Sequence, residues 1–302
     1  MNSKNAFLAS EFPPAPAATA AFHIIPAPME LSVSYGGGAH RGPQAIIDAS
    51  QQLEVCDGEG RASAANIHTQ KPVAPRSKKP EDWIDAVEAR VALALACRAV
   101  PVILGGEHTV TLGAARAFHR AGAKIGFIHV DAHADLRDRY EGNPFSHACV
   151  MRRVHELGFP CLQIATRAVA QEERNYRAAN PKTITAYDAR EIADGKMPQH
   201  FIPRAFPKKV YVTFDVDGFD PAVMPATGTP VPGGLFWHDA IHLLREVATQ
   251  GRIAGFDVVE LAPLRSLPHA DFTAALLTQT LMGLASAKTN QTKNQQARTG
   301  RS

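Results

Sequence analysis

The chain has 302 residues, is 45% hydrophobic and is close to charge balance, with 32 Lys and Arg against 29 Asp and Glu. That supplies a large core, which one large α/β domain or two smaller domains could share. No basic stripe with interleaved aromatics argues for a nucleic-acid surface, and the longest apolar helix candidate, Val91 to Cys97, is far too short to span a bilayer.

Residues 1–20 are rich in Ala and Pro and are expected to be poorly ordered. Their short apolar run is ended by Glu11, Pro13 and Pro14, so a signal peptide is not expected and the location is cytoplasmic by default. A helix opened by Pro80 shows one apolar face in Trp83, Ile84, Val87, Val91 and Leu95. A strand runs to Leu104, a helix spans 109–119, and a second strand runs to Val130. Short strands follow at Cys161–Ile164 and 183–186, then a strand at Tyr211–Phe214, a helix over 238–250 and a strand over 253–261. From about 287 the chain is polar and expected to be a loose tail, and nothing between 21 and 286 looks like an interdomain linker. Alternating helices and strands predict a parallel sheet covered on both faces.

Three of these strands end in clusters of acids and imidazoles. Phe127 to Val130 leads into Asp131, His133 and Asp135, alternate residues that an extended backbone would point the same way. Tyr211 to Phe214 leads into Asp215 and Asp217, and Val100 to Leu104 leads into Gly105-Gly106-Glu107-His108. Alone, an Asp-x-Asp after a strand is most often a turn or a cap, and a His after Gly-Gly is more often structural. Three such clusters at strand ends are harder to dismiss, because parallel sheets bind ligands at the carboxyl ends of their strands. His108, Asp131, His133, Asp135, Asp215 and Asp217 exceed what one tetrahedral zinc needs and suit two divalent metals sharing carboxylates. The cysteines Cys56, Cys97, Cys149 and Cys161 form no Cys-x-x-Cys and read as reduced thiols, with a nucleophilic Cys149 as the minor alternative.

With Ser146-His147-Ala148, Asp215-Val216-Asp217-Gly218-Phe219-Asp220-Pro221 and Glu260-Leu261-Ala262-Pro263, these motifs make the chain resemble the ureohydrolases, the family of arginase and agmatinase. The run Pro225 to Leu235 is most similar to the agmatinase branch, and the resemblance extends from about Ser34 to about Leu284. It implies the arginase–deacetylase fold: a single three-layer α/β domain with a mainly parallel sheet over 21–286. It implies two divalent ions per chain, Mn first and Ni or Fe as alternatives. One would be held by His108, Asp131, Asp135 and Asp215, the other by Asp131, His133, Asp215 and Asp217. Asp135 would also orient the attacking water, His147 would protonate the departing amine and Glu260 would bind the guanidinium. Glu107 could support the ligands from behind, and Thr229 could touch the substrate or a ligand.

The activity implied is hydrolysis of a small guanidino compound to urea and an amine, with agmatine leading. Guanidinobutyrate, arginine, free guanidine and biguanide-type compounds are the alternatives. A mononuclear deacetylase and a non-catalytic partner in a hetero-oligomer are the competing classes. Family members commonly form trimers or hexamers, so a homo-oligomer is expected. The loop Tyr140 to Ser146 is expected to bear on substrate choice: an inward Glu141 would favour an amine, and an inward Arg137 or Arg139 would favour a carboxylate.

Overall fold

Near-continuous apolar runs such as Val210–Phe214 and Ile125–Val130 are what a sheet buried on both faces requires. The computed structural model describes residues 5–56 and 66–299, with 287–299 as backbone only. The strands are β1 Phe22–Ala27, β2 Ile67–Thr69, β3 Val100–Gly105, β4 Ile125–Val130, β5 Cys161–Ile164, β6 Ile184–Tyr187, β7 Lys209–Asp215 and β8 Arg252–Val259. They form one sheet in the order β2-β1-β3-β8-β7-β4-β5-β6, and every adjacent pair is parallel.

Eight α-helices of the described residues cover it. They are α1 Gly42–Ala49, α2 Pro80–Ala96, α3 Val110–Arg120, α4 Val150–Glu156, α5 Gln171–Ala179, α6 Ala189–Ala193, α7 Trp237–Gln250 and α8 Pro268–Thr299. Side chains alternate across each strand, so the sheet separates two apolar layers. Val102, Leu104, Val210, Val212 and Phe214 pack with Ile46 of α1, Leu244 of α7 and Leu277 of α8. Ile103, Phe127 and Tyr211 pack on the opposite side with Val87 of α2, Leu112 of α3 and Met151 of α4. This is the single three-layer α/β arrangement expected.

The start of the chain corrects an expectation. Phe7 and Leu8 are 2% and 0% exposed and belong to the core. The backbone N–H groups of these two residues donate to Thr69 and Ser50, at 3.0 and 2.9 Å. These two anchors act with buried Ala6 and Ala20 and with further hydrogen bonds, among them Ala15 N–H to Ile67 O at 2.8 Å and Gln51 to Ala6 O at 2.8 Å, to hold the Ala- and Pro-rich segment on the core. Residues 1–4 lie outside the described ones. The tail expected to be loose from 287 instead continues α8 to Thr299 as helical backbone. Its Ala, Lys and Gln residues favour helix, so propagation costs little once the helix is nucleated. Residues 300–302 are not described.

Sheet order positions the site. Strands β3, β8, β7 and β4 are consecutive neighbours near the middle, and their C-terminal ends lie in register. Val130 pairs with Phe214, Phe214 with Val258 and Leu104 with Val258. The acid clusters that follow these residues therefore meet at one edge, although they are far apart in sequence. Gly106 is required there: a Cβ on it would stand 1.9 Å from the carbonyl oxygen of Met29.

Candidate metal centre

Two imidazole nitrogens and four carboxylates define the edge. His108 Nδ1 lies 3.1 Å from Asp131 Oδ2, 3.2 Å from Asp135 Oδ2 and 3.3 Å from Asp215 Oδ2. His133 Nδ1 lies 3.3 Å from Asp131 Oδ1 and 3.1 Å from Asp217 Oδ2. The two sets share Asp131, one oxygen facing each histidine. All six residues expected as metal ligands are thus brought together. Five are at most 4% exposed, and His133 is half-buried at the rim.

The neighbours fix how these ligands point. Asp215 Oδ1 accepts from the Asp217 N–H at 2.8 Å, and Asp217 Oδ1 accepts from the Ala132 N–H at 3.0 Å. Asp131 Oδ1 accepts from the His133 N–H at 2.6 Å. His108 Nε2 is 2.8 Å from Thr213 Oγ1, and the Thr213 hydroxyl donates to Asp257 Oδ1 at 2.7 Å. The hydroxyl proton is spent on Asp257, so Thr213 receives a proton from Nε2–H, and Nδ1 of the neutral ring is left bare. That bare nitrogen is buried without a hydrogen-bond partner and faces three carboxylate oxygens. A lone pair aimed at three anions fits a cation between them. The donor set of carboxylates and imidazoles suits Mn, Fe, Ni or Zn.

Bound protons and the nearby Arg167 guanidinium offset the charge of these carboxylates. Burial alone would lower His108, but Asp131, Asp135 and Asp215 outweigh it and raise it well above its ordinary value. Burial likewise acts against a charged His133, but hydrogen bonds to Asp131 and Asp217 push it up to about 12. Burial and then the charge of Asp131 push Asp135 up to about 7. A metal ion must displace such protons, because imidazole and carboxylate ligands bind deprotonated. Apparent Mn2+ affinity should therefore rise with pH, by roughly tenfold per unit for each proton displaced. Titration calorimetry across neutral pH checks this; a flat affinity would show that these ligands are not the binding groups.

The other expected residues surround two connected cavities. A small inner slot is lined by Glu107, His133, Asp135, His147, Asp215, Asp217, Thr229 and Glu260. Glu260 Oε1 accepts from the His108 N–H at 2.7 Å; burial and then the charge of Glu107 push Glu260 up to about 8. Asp135 and Glu260 both adopt left-handed backbone, with φ of 53° and 65°. Such residues cost roughly 1–3 kcal/mol each and persist where surrounding structure over-determines them. Thr229 donates to Asp217 Oδ2 at 3.3 Å, so its contact is with an expected ligand. Glu107 holds Leu31 and Ser32 instead of a ligand imidazole.

The outer cavity, of about 410 Å³, is lined by Ala148, Ala168, Val169 and Ala170 together with Arg137, Tyr140, His147 and Glu173. Arg137 lines it, with its guanidinium 3.0 Å from Glu172 and above the Tyr140 ring. Glu141 is exposed and outside both cavities, so the expectation resting on an inward Glu141 is not met. The positive φ of Glu141 and Gly142 turns the backbone at this point, and Arg139 bonds the Gly142 carbonyl. Burial pushes the Cys149 thiol up to about 11, which removes the minor alternative of a nucleophilic thiolate.

Two contributors were not picked out from sequence. His129, inside β4, is 0% exposed and bonds Asp131 Oδ2 through Nε2 at 2.8 Å. Gln163 Oε1 accepts from Arg177, so its amide nitrogen donates to Ala134 O and to His129 Nδ1. His129 Nε2 then carries its proton toward Asp131, and His129 is a support of that carboxylate and not a ligand. Arg167 donates to the carbonyls of Asp217, Phe219 and Val231, pinning the strand-end loop that bears Asp217 against the Thr227–Leu235 segment. The alternation Phe127-Ile128-His129 signals a buried imidazole one step before the first ligand, but no sequence pattern marks Arg167.

A carboxylate-rich edge at the carboxyl ends of four parallel strands is suited to hold metal ions, and comparison with known proteins supplies the class. The sequence model of the Arginase family matches residues 20–285. The N(1)-aminopropylagmatine ureohydrolase of Synechocystis sp. is 40% identical, covering 88% of this chain and 89% of its own. The agmatinase of Pyrococcus horikoshii is 32% identical, covering 91% and 95%. Among solved structures, the agmatine ureohydrolase of Thermoplasma volcanium aligns with a TM-score of 0.75 at 28% identity, covering 90% of this chain and 92% of its own. The proclavaminate amidinohydrolase of Streptomyces clavuligerus aligns at 0.81 and 25%, covering 93% and 96%. The chain belongs to the arginase family, and it is a hydrolase of C–N bonds.

Proposed function

We propose that this enzyme hydrolyses agmatine to urea and putrescine with two divalent ions per chain. The observation that carries it is an acid-lined inner slot opening into an outer cavity walled by short aliphatic side chains. A guanidinium placed in the slot meets Glu260, whose raised value falls once a cation sits beside it. The aliphatic chain then lies along Ala148, Ala168 and Val169. The relatives named agmatinase and aminopropylagmatine ureohydrolase support a tail that ends in an amine. Arg137 lines the outer cavity, the placement that would favour a carboxylate, but Glu172 at 3.0 Å and the Tyr140 ring already engage its guanidinium, so a substrate carboxylate must compete for it. A carboxylate that does not displace Glu172 is left short of a partner at a cost of several kcal/mol, which favours the amine. The same cavity, and 40% identity to an N(1)-aminopropylagmatine ureohydrolase, favour N(1)-aminopropylagmatine as the second reading.

His108, Asp131, Asp135 and Asp215 would hold one ion, and Asp131, His133, Asp215 and Asp217 the other; Mn2+ is the first choice. Bound there, the ions would supply an activated water at neutral pH and offset the charge of the carboxylates. The reaction adds one water to R–NH–C(NH2)2+ and gives urea and R–NH3+. Both protons of that water end on the departing nitrogen as its bond to carbon breaks. Asp135 and His147 both line the slot and are the groups that carry these protons. Glu260 and the inner carboxylates hold the guanidinium, and the aliphatic wall keeps bulk water from the tail.

We also place the enzyme in the cytoplasm as a homo-oligomer. None of the described helices is long and apolar enough to cross a membrane. The deciding experiment is urea release from agmatine, N(1)-aminopropylagmatine, guanidinobutyrate, guanidine and arginine with Mn2+ and with Ni2+. The two amine-tailed compounds should give the highest kcat/KM, at least about tenfold above arginine, equivalent to about 1.4 kcal/mol of discrimination. A higher value for arginine or guanidinobutyrate would refute the amine-tail assignment. Acetate release from an acetylated amine with no urea release would point to a deacetylase instead.

A further inference from the structure

We infer that Glu107 and Ser32 form a relay that fixes the tautomer of His147, so that Nε2 is the nitrogen presented to substrate. This deepens the proposed hydrolase reading and rests on it. Glu107 is 1% exposed and collects three donors. Its Oε2 accepts from the Leu31 and Ser32 N–H groups at 2.5 and 2.7 Å, and its Oε1 accepts from the Ser32 hydroxyl at 3.0 Å. An ionised carboxylate, an acceptor only, satisfies all three. The Ser32 proton is thereby committed to Glu107.

What remains on Ser32 Oγ is acceptor capacity for two donors. The backbone N–H of His147 takes one at 3.1 Å. His147 Nδ1, at 3.0 Å, takes the other, and must therefore bring a proton. The neutral ring then carries its proton on Nδ1 and leaves Nε2 bare. His147 lines both the inner slot and the outer cavity, between the acids and the aliphatic wall. The Tyr140 ring meets the imidazole edge-on at 6.1 Å and restricts its swing.

The relay also spans the fold. Glu107 follows β3, beside His108; Ser32 lies in the segment after β1; His147 lies in the loop before α4. One carboxylate thus ties the strand bearing a metal-site imidazole to the loop bearing the proton carrier. Ser32 and Glu107 are positioning residues, since they act through His147. Without the Ser32 acceptor, the neighbour left to Nδ1 is the Ser146 hydroxyl at 3.5 Å, which can donate as well as accept and so does not by itself select the Nδ1–H form.

The test compares Ser32→Ala, Ser32→Thr and His147→Ala in the metal-loaded full chain. Ser32→Ala should lower kcat about 10- to 100-fold, the range for a group that orients a site residue from behind, with KM and metal content unchanged. Ser32→Thr, which keeps the hydroxyl, should restore most of the rate. The double variant Ser32→Ala with His147→Ala should be no slower than His147→Ala alone, because the relay has no other target. A wild-type kcat in Ser32→Ala, or additive losses in the double variant, would overturn the relay. A readout independent of turnover is the 15N spectrum of His147 in the Zn2+-loaded full chain. A bare Nε2 that is lost in Ser32→Ala supports the relay even if no guanidino compound is hydrolysed, whereas an Nε2–H tautomer in the unaltered protein refutes it.

Discussion

Replacing Asp131 with asparagine is expected to abolish nearly all turnover and to strip at least one ion from the metal site, an effect as large as that of any single change. Asp131 is the residue shared by the two histidine sets, with Oδ2 at 3.1 Å from His108 Nδ1 and Oδ1 at 3.3 Å from His133 Nδ1. An amide keeps the shape but loses the charge, and its nitrogen would turn donor hydrogens toward one cation. Both oxygens of Asp131 accept N–H donors, His129 Nε2–H at Oδ2 and the His133 backbone N–H at Oδ1, so the amide nitrogen would oppose a donor in either orientation. The expected consequence is one ion or none per chain by elemental analysis. A metal-activated water contributes several kcal/mol, so turnover should fall on the order of 10³-fold or more. Asp215→Asn should behave similarly, since its Oδ2 faces His108 while its Oδ1 holds the Asp217 N–H. Full activity with one firmly bound ion would refute the two-ion site.

Much of this centre was legible because each ligand sits within a few residues of a strand end. An apolar run followed by alternating acids carries its own geometry: the run fixes the strand, and the period of two fixes the face. The parallel sheet then supplies the rest, and the β3-β8-β7-β4 order brings the runs together. Residues that act across the fold were not legible in the same way. Ser32 and Glu107 lie 75 residues apart, and His129 and Gln163 lie 34 apart on paired strands. Their partnership depends on register and loop path, which no local period encodes. Glu141 failed for a related reason. Its charge was readable, but its direction depends on a left-handed turn at residues 141 and 142. At the N-terminus, Ala- and Pro-rich composition masked two apolar anchors, Phe7 and Leu8, that find a ready pocket in the core. Helix α5, Gln171–Ala179, is polar almost throughout, so it offered no apolar stripe to read.

His147→Ala should leave the metals in place and slow the chemical step. His147 is not within the two sets of atoms that converge around Asp131, so both ions should remain at wild-type stoichiometry. Burial lowers its value below that of an ordinary histidine, although the charge of Glu107 opposes this. The ring is therefore mostly neutral at neutral pH, able to take a proton at Nε2 and pass it on. Loss of a positioned acid–base group costs about 10²–10⁴-fold in kcat. Substrate binding should change little, since Glu260 and the inner carboxylates still line the slot. The pH–rate profile should lose the limb that His147 contributes, and added imidazole should recover part of the rate by entering the outer cavity, whose volume of about 410 Å³ gains that of the missing ring. An unchanged rate and profile in His147→Ala would reduce this residue to a loop histidine and would leave Asp135 to carry both protons.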